Sequence, residues 1–277
     1  MLNSEDSSRI YQHAYLPEHL PGYVERISGA QPHLHGNYLC FIRRTHLIFI
    51  GYPLEVPSDD TPAAYTSACK RFDPSTVALI APEIWLDSAA VEIQPGDSYY
   101  RLDLPLKSIH PEVAYMVRRA KKELEVKYGR FGTEHKKLIR KFIRNHDLTA
   151  AQIQIFKHVG NYANHSKTAR LIEARRAERL AAFTIADMGS AKHAFYLFNF
   201  RSSKIVVPGA SDLLFDAMVR LAQSEGKDAI NLGLGIHAGI RRFKEKWGGV
   251  AFLPYRSAFV YRKQPAGPEM GQLADKL

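Results

Sequence analysis

Apolar residues recur along the chain at two spacings, and the changes between them mark out the elements. Residues 1–30, rich in Ser, Pro, Gly and His, show neither spacing; they predict irregular chain with one short helical turn. From Gly36, aromatic and β-branched residues crowd into Asn37–Ile42 and Thr45–Tyr52 around the polar pair Arg43–Arg44, which predicts a β-hairpin. Pro53 ends the second strand and opens a loop through Asp59 and Asp60. Thr61 as N-cap and Pro62 at the first position predict a helix to Phe72. Thr76–Ile80 reads as a buried strand. Ala90–Gln94 and Ser98–Leu104 flank the turn Pro95–Gly96–Asp97 and predict a second hairpin.

The helical spacing returns at Pro111. Val113, Met116, Val117, Ala120 and Leu124 share one face, and Arg118, Arg119, Lys121 and Lys122 lie on the other. A short strand over Val126–Phe131 follows, then helices over Lys136–Phe142 and Thr149–Tyr162, the second capped by Thr149. Ala169–Arg175, Arg179–Asp187 and His193–Arg201 read as three successive strands. Gly209–Glu225 is a strongly amphipathic helix with Gly226 beyond its end. Ala229–Leu232 is a short buried strand, and His237–Lys246 is a helix stopped by Gly248–Gly249. Phe252–Tyr255 and Ser257–Tyr261 close the pattern as strands, and the Pro/Gly-rich tail from Gln264 predicts disorder. The fold class is therefore mixed α/β. Each half shows a hairpin, a helix, a strand and a closing hairpin, so we divide the chain into a degenerate lobe, 1–115, and a complete one, 116–277.

Composition narrows the setting. The 277 residues are 45% hydrophobic, enough for a sizeable core. No apolar run approaches the ~20 residues of a membrane span, and the polar, acidic start lacks the features of a secretory signal, so the cytoplasm is the expected compartment. Cys40 and Cys69 suit reducing conditions as small apolar side chains. The net charge of +10 favours acidic partners: RNA, a phosphorylated donor or an anionic membrane surface contacted from outside.

Three stretches of the second half carry a resemblance. Pro208-Gly209-Ala210-Ser211-Asp212-Leu213-Leu214 opens the long helix. Ile230-Asn231-Leu232-Gly233-Leu234-Gly235 forms a strand and its exit. Gly239-Ile240-Arg241-Arg242-Phe243-Lys244-Glu245-Lys246-Trp247-Gly248-Gly249 follows. With the order β-α-α-β-β-β-α-β-α-β-β, this run resembles the GNAT superfamily, and within it the Fem-like peptidyltransferases and the C-terminal domains of lipid aminoacyltransferases. The likeness covers most of 90–262 and is weaker over 36–89. It implies tandem GNAT-like lobes, acyl transfer, no tightly bound cofactor, and aminoacyl-tRNA or acyl-CoA as donor.

Acyl transfer needs an anchored donor, a stabilised oxyanion and two proton transfers. The helix start at Gly209, Ala210 and Ser211 can hold phosphate on its free N–H groups, or can be an ordinary capped start. The resemblance places the oxyanion donor on the strand containing Phe198, Asn199 and Phe200. It places Lys244 of the Phe-Lys pair near the transfer point, with Arg241 and Trp247 beside it. The sequence departs from CoA-binding GNAT members in lacking the spaced glycines at Gly209, and from many GNAT enzymes in lacking a Tyr acid on the last helix. His237 is a candidate base near neutral pH, or a structural histidine. Glu173 is a second candidate base, or a charge paired with Arg175 or Arg179. Arg118, Arg119, Lys121, Lys122, Lys136 and Lys137 predict a positive strip for tRNA phosphates, against a plain solvated face. His33, His35, His46 and His110 lack tight metal-ligand spacing; His33-x-His35, in a Pro/Gly loop, is the one pair that could hold a metal, and none is expected. The expected function is acyl or aminoacyl transfer; a non-catalytic module that binds RNA or a protein partner is the alternative.

Overall fold

The computed structural model describes residues 2–56, 60–88 and 90–263. The tail from Gln264, and Asp59 in the first long loop, lie outside the described residues. The strands are β1 (Gln31–His35), β2 (Tyr38–Arg43), β3 (His46–Ile50), β4 (Thr76–Ala81), β5 (Val91–Ile93), β6 (Asp97–Asp103), β7 (Glu125–Gly129), β8 (Ala169–Arg176), β9 (Arg179–Asp187), β10 (His193–Arg201), β11 (Ala229–Leu234) and β12 (Val250–Tyr261). The helices are α1 (Ser4–His13), α2 (Pro21–Ser28), α3 (Thr61–Phe72), α4 (Pro111–Lys121), α5 (Thr133–Asn145), α6 (Ala150–His165), α7 (Ala210–Ser224) and α8 (Ala238–Lys246).

All the strands join one mixed sheet in the order β1-β2-β3-β4-β12-β6-β11-β10-β9-β8-β7, with β5 pairing β12 aside from this path. Each half contains an antiparallel run, a crossover helix and a parallel strand. In the first half α3 joins β3 to the parallel β4; in the second α7 joins β10 to the parallel β11. The next strand over is exchanged. β12, from the end of the chain, pairs with β4, while β6, from the first half, pairs with β11. β6 and β12 then pair with each other at the centre. A division between 115 and 116 passes through α4.

Helices cover both faces. α4 and α7 pack over Ile172, Ala182 and Ile230, where Trp247 also lies. On the opposite face, Phe131, Ile139 and Val159 of the α5–α6 region pack over Phe183 and Phe200, and α1 and α2 bring Ile10 and Val24 against Phe41 and Ile48.

Three expectations are corrected. Within the segment expected to be irregular, residues 2–30 contain two helices and a 3-10 turn, Pro17–His19, because Asn3 caps α1 and Pro21 and Gly29 bound α2. Residues 90–104 do not form a hairpin: β5 pairs Ala258–Val260 of β12, not β6. The last two expected strands are one strand, which shifts from β6 to β4 between Tyr255 and Arg256.

Candidate functional site

β10 and β11 are paired at only three positions, ending at Phe195 and Asn231. Past that point β10 bulges between Tyr196 and Phe198, and β11 bulges between Asn231 and Gly233. A bulge turns a strand and ends its pairing. The two parallel strands therefore part and make a fork.

One arm of the fork carries Lys244. Its residue is 3% exposed, and its Nζ donates to the Leu234 carbonyl at 2.5 Å and lies 5.3 Å from the Tyr100 ring centroid. Burial lowers its pKa from the ordinary lysine value to about 7, against the opposing pull of Asp97. Asp97 also fastens the exit of β11, accepting from the Ile236 N–H at 2.7 Å. Ile236 is held at φ 54°, the left-handed region that β-branched residues avoid.

The other arm carries Asn199. Ser211 Oγ donates to Asn199 Oδ1 at 3.1 Å, while Asn199 Nδ2 is buried with only a loose approach to the Tyr196 phenol. Phe198 and Phe200 turn their rings into the core under α5 and α6, so only their backbone borders the fork. On the α7 face Tyr196 packs between Phe215 and Phe243, its ring stacked on Phe243 at 6.2 Å.

Several expected site residues have structural roles. Gly209, at φ 82°, starts α7 against α4, where a Cβ would collide with the Met116 carbonyl; a pyrophosphate cradle is not what requires this glycine. Ala210 is buried in the core, and Ser211 is committed to Asn199. Trp247 is buried, donating Nε1 to Asp212 Oδ1 at 3.0 Å, while Lys246 Nζ meets the same oxygen at 2.7 Å. These contacts lock α8 onto α7. His237 is exposed and caps α8, its Nδ1 accepting from the Ile240 N–H at 3.4 Å. Arg241 is exposed beside Gly235.

Glu173 is corrected as a candidate base. It lies on β8, buried on the α5 face, with Arg175 Nε at 2.6 Å and His135 Nε2 at 2.9 Å. β9 separates β8 from the fork strand β10, and both Glu173 oxygens are engaged, so Glu173 does not reach the fork. The positive strip is corrected as well. Arg118, Arg119, Lys121 and Lys122 are exposed on or just beyond α4, on the α7 face, and Lys121 pairs with Asp216 at 3.2 Å. Lys136 and Lys137 are exposed on α5, on the opposite face. Lys136, Arg140 and Arg144 rim a groove of about 800 Å³ floored by Phe131, Ile139 and Phe156.

Among the described residues no group of His, Cys, Asp or Glu could hold a metal, and no helix is long and apolar enough to cross a membrane.

No family profile matches the chain, and no curated protein matches it in sequence. Solved structures do. One, described as the C-terminal domain of a lysylphosphatidylglycerol synthetase from Agrobacterium fabrum, superposes with a TM-score of 0.60 at 16% identity, over 95% of this chain and 93% of that one. A structure of FemX gives 0.58 at 9% identity, over 92% and 96%. A tandem GNAT protein from the clavulanic acid biosynthesis pathway gives 0.50 at 10% identity, over 82% and 79%. Identities this low speak for architecture alone, and on that ground the chain has the GNAT-like fold that these structures share.

Proposed function

We propose that the chain transfers an activated acyl or aminoacyl group to an amine or hydroxyl by direct attack in a ternary complex, with the donor carbonyl in the fork. The observation that carries this reading is the buried Lys244 ammonium on one arm of the fork, with a pKa of about 7. An acid of that pKa is half protonated at neutral pH, where it can give a proton to a leaving oxygen or sulfur. Asn199 Nδ2, buried on the other arm with no well-formed hydrogen bond, suits the oxyanion.

Aminoacyl-tRNA is favoured over acyl-CoA as donor. The turn at Gly209 is filled by α4, and Asp212 behind it is an acid already engaged with Lys246. The cations on α4 remain exposed on the same face. A binding module without catalysis is the second reading, favoured by one observation: Tyr196 and Phe243 stack across the α7 side of the fork.

Calorimetric titration with acetyl-CoA and, separately, with an aminoacyl-tRNA pool tests the donor. The expected result is binding of aminoacyl-tRNA tighter than roughly 100 μM, about −5.5 kcal/mol, with release of its amino acid to an added amine. Acetyl-CoA binding at that strength would reverse the choice of donor. Binding of tRNA with no transfer would favour the second reading.

A further inference from the structure

The N-terminal segment lays a carboxyl group across the fork. Asn231, the last residue of β11 paired with β10, donates from Nδ2 to the Tyr15 carbonyl at 2.8 Å, which pins the segment after α1 onto the sheet where the strands part. Glu18 follows within the turn Pro17–His19. Tyr99 of β6 comes nearest its carboxyl, and Tyr23 of α2, Tyr52 after β3 and Tyr255 of β12 lie within its electrostatic reach. Tyr23 packs against Phe198 on the β10 arm, and Tyr99 is in register with Leu234 on the β11 arm. Glu18 thus spans both arms, on the face opposite α7 and α8.

Its surroundings are unlike those of a structural carboxylate. Buried acids are normally paired with a cation or with several N–H donors. Here the carboxyl meets its own backbone N–H and the Tyr99 phenol, and the charge beyond Tyr255 is Asp97, another acid. Glu18 Oε2 and the Tyr99 hydroxyl are each buried without a well-formed hydrogen bond. Burial holds the carboxyl above the ordinary glutamate range, against its own backbone N–H and Tyr99, which favour the ionised acid. A carboxyl with spare acceptor capacity over a reaction point suits a group arriving with a proton to lose.

We propose that Glu18 is the acceptor-side base, taking the proton that an acceptor amine loses when its nitrogen attacks the acyl carbon in the fork. This rests on the acyl-transfer reading above. The nitrogen lone pair forms the new C–N bond, and the carbonyl pair moves onto oxygen. On collapse the bond from carbon to the donor oxygen or sulfur breaks, and that atom takes its proton from Lys244. The nitrogen proton goes to the Glu18 carboxylate. The step ends with Glu18 protonated and Lys244 neutral, and nothing is oxidised or reduced.

The test compares wild type with Glu18→Gln, using an aminoacyl-tRNA pool and acetyl-CoA as donors and glycinamide as acceptor. In Glu18→Gln, single-turnover transfer should fall by about 100-fold, in the range a general base supplies. The acid limb of the pH–rate profile should vanish, and donor affinity should stay within about twofold of wild type. A Glu18→Gln protein with the wild-type rate and acid limb overturns the proposal. So does one that loses donor affinity while keeping its rate at saturation, since Glu18 would then only bind. Tyr99→Phe, which removes just the hydroxyl that favours the carboxylate, should move the acid limb to higher pH; an unmoved limb counts against the base even if Glu18→Gln does not fold. A wild type that transfers from neither donor overturns the acyltransferase reading itself, and this one with it.

Discussion

Lys244 changes place between sequence and structure. The resemblance picks it out through the Phe243-Lys244 pair, and the spacing of Ile240, Phe243 and Trp247 along one apolar helix face sets Lys244 at the margin of that face. The structure moves it from margin to interior, with Nζ on the Leu234 carbonyl. Glu173 stood beside Arg175 in the sequence, and the bland pairing holds. Glu18 was missed because nothing in Leu16-Pro17-Glu18-His19-Leu20 repeats at a helical or strand spacing; what singles it out is long-range, the tyrosines of four different elements. Two residues give predictions here. The folded pKa of Lys244, about 7, lies below that of the unfolded chain, so unfolding takes up protons between there and the ordinary lysine value. Wild-type stability therefore gains from this group as pH rises through that window. Lys244→Met should be more stable than wild type at pH 7, and the gap should narrow by pH 10, as read from denaturant midpoints. Lys244→Ala should cut transfer by at least about 100-fold. Ile236, strained and 63% exposed, gives the other. Ile236→Asn should raise stability by about 0.5–1 kcal/mol, since Asn tolerates the left-handed region and little apolar contact is lost; a lower melting temperature would contradict it.

Helices and strands with a strong local pattern were legible, and those defined by distant partners were not. α7 is apolar along one whole side, and the three strands β8, β9 and β10 are rich in buried residues, so local spacing was enough. α1 buries only Ile10, so it shows no apolar stripe. The turn Pro95–Gly96–Asp97 looked like a hairpin because two apolar runs flank it. β5 and β6 instead find separate partners, β5 on β12 and β6 between β11 and β12. The basic residues were legible as helix faces, but the face of the sheet each helix takes is a tertiary fact. It splits the strip, and the split can be tested. Reversing Arg118, Arg119, Lys121 and Lys122 should weaken RNA binding and flatten its salt dependence, because α4 shares the face of α7 and α8. Reversing Lys136 and Lys137 should leave the slope of log K against log salt unchanged. Equal losses in the two variants would mean RNA contacts both faces.

The molecule as a whole is organised around the fork and the exchanged strands. The order of elements in the second half, and the likeness of the two halves, could be seen in the sequence. That β6 and β12 trade places could not, since it depends on pairings more than 120 residues apart in sequence, such as Ile230 with Leu102. The exchange makes each half incomplete alone. Chemical unfolding followed by tyrosine fluorescence and by far-ultraviolet circular dichroism should give one coincident transition; two separated transitions would show halves that melt independently.

The trade of strands also decides what a cut would do. A protease that nicks the stretch between β6 and α4 leaves two polypeptides, each holding a strand seated in the other's half of the sheet. They are clasped like two hooks, and the nick by itself releases neither. Two such pieces made separately should find each other and rebuild one body, so the chain is a natural starting point for a split reporter.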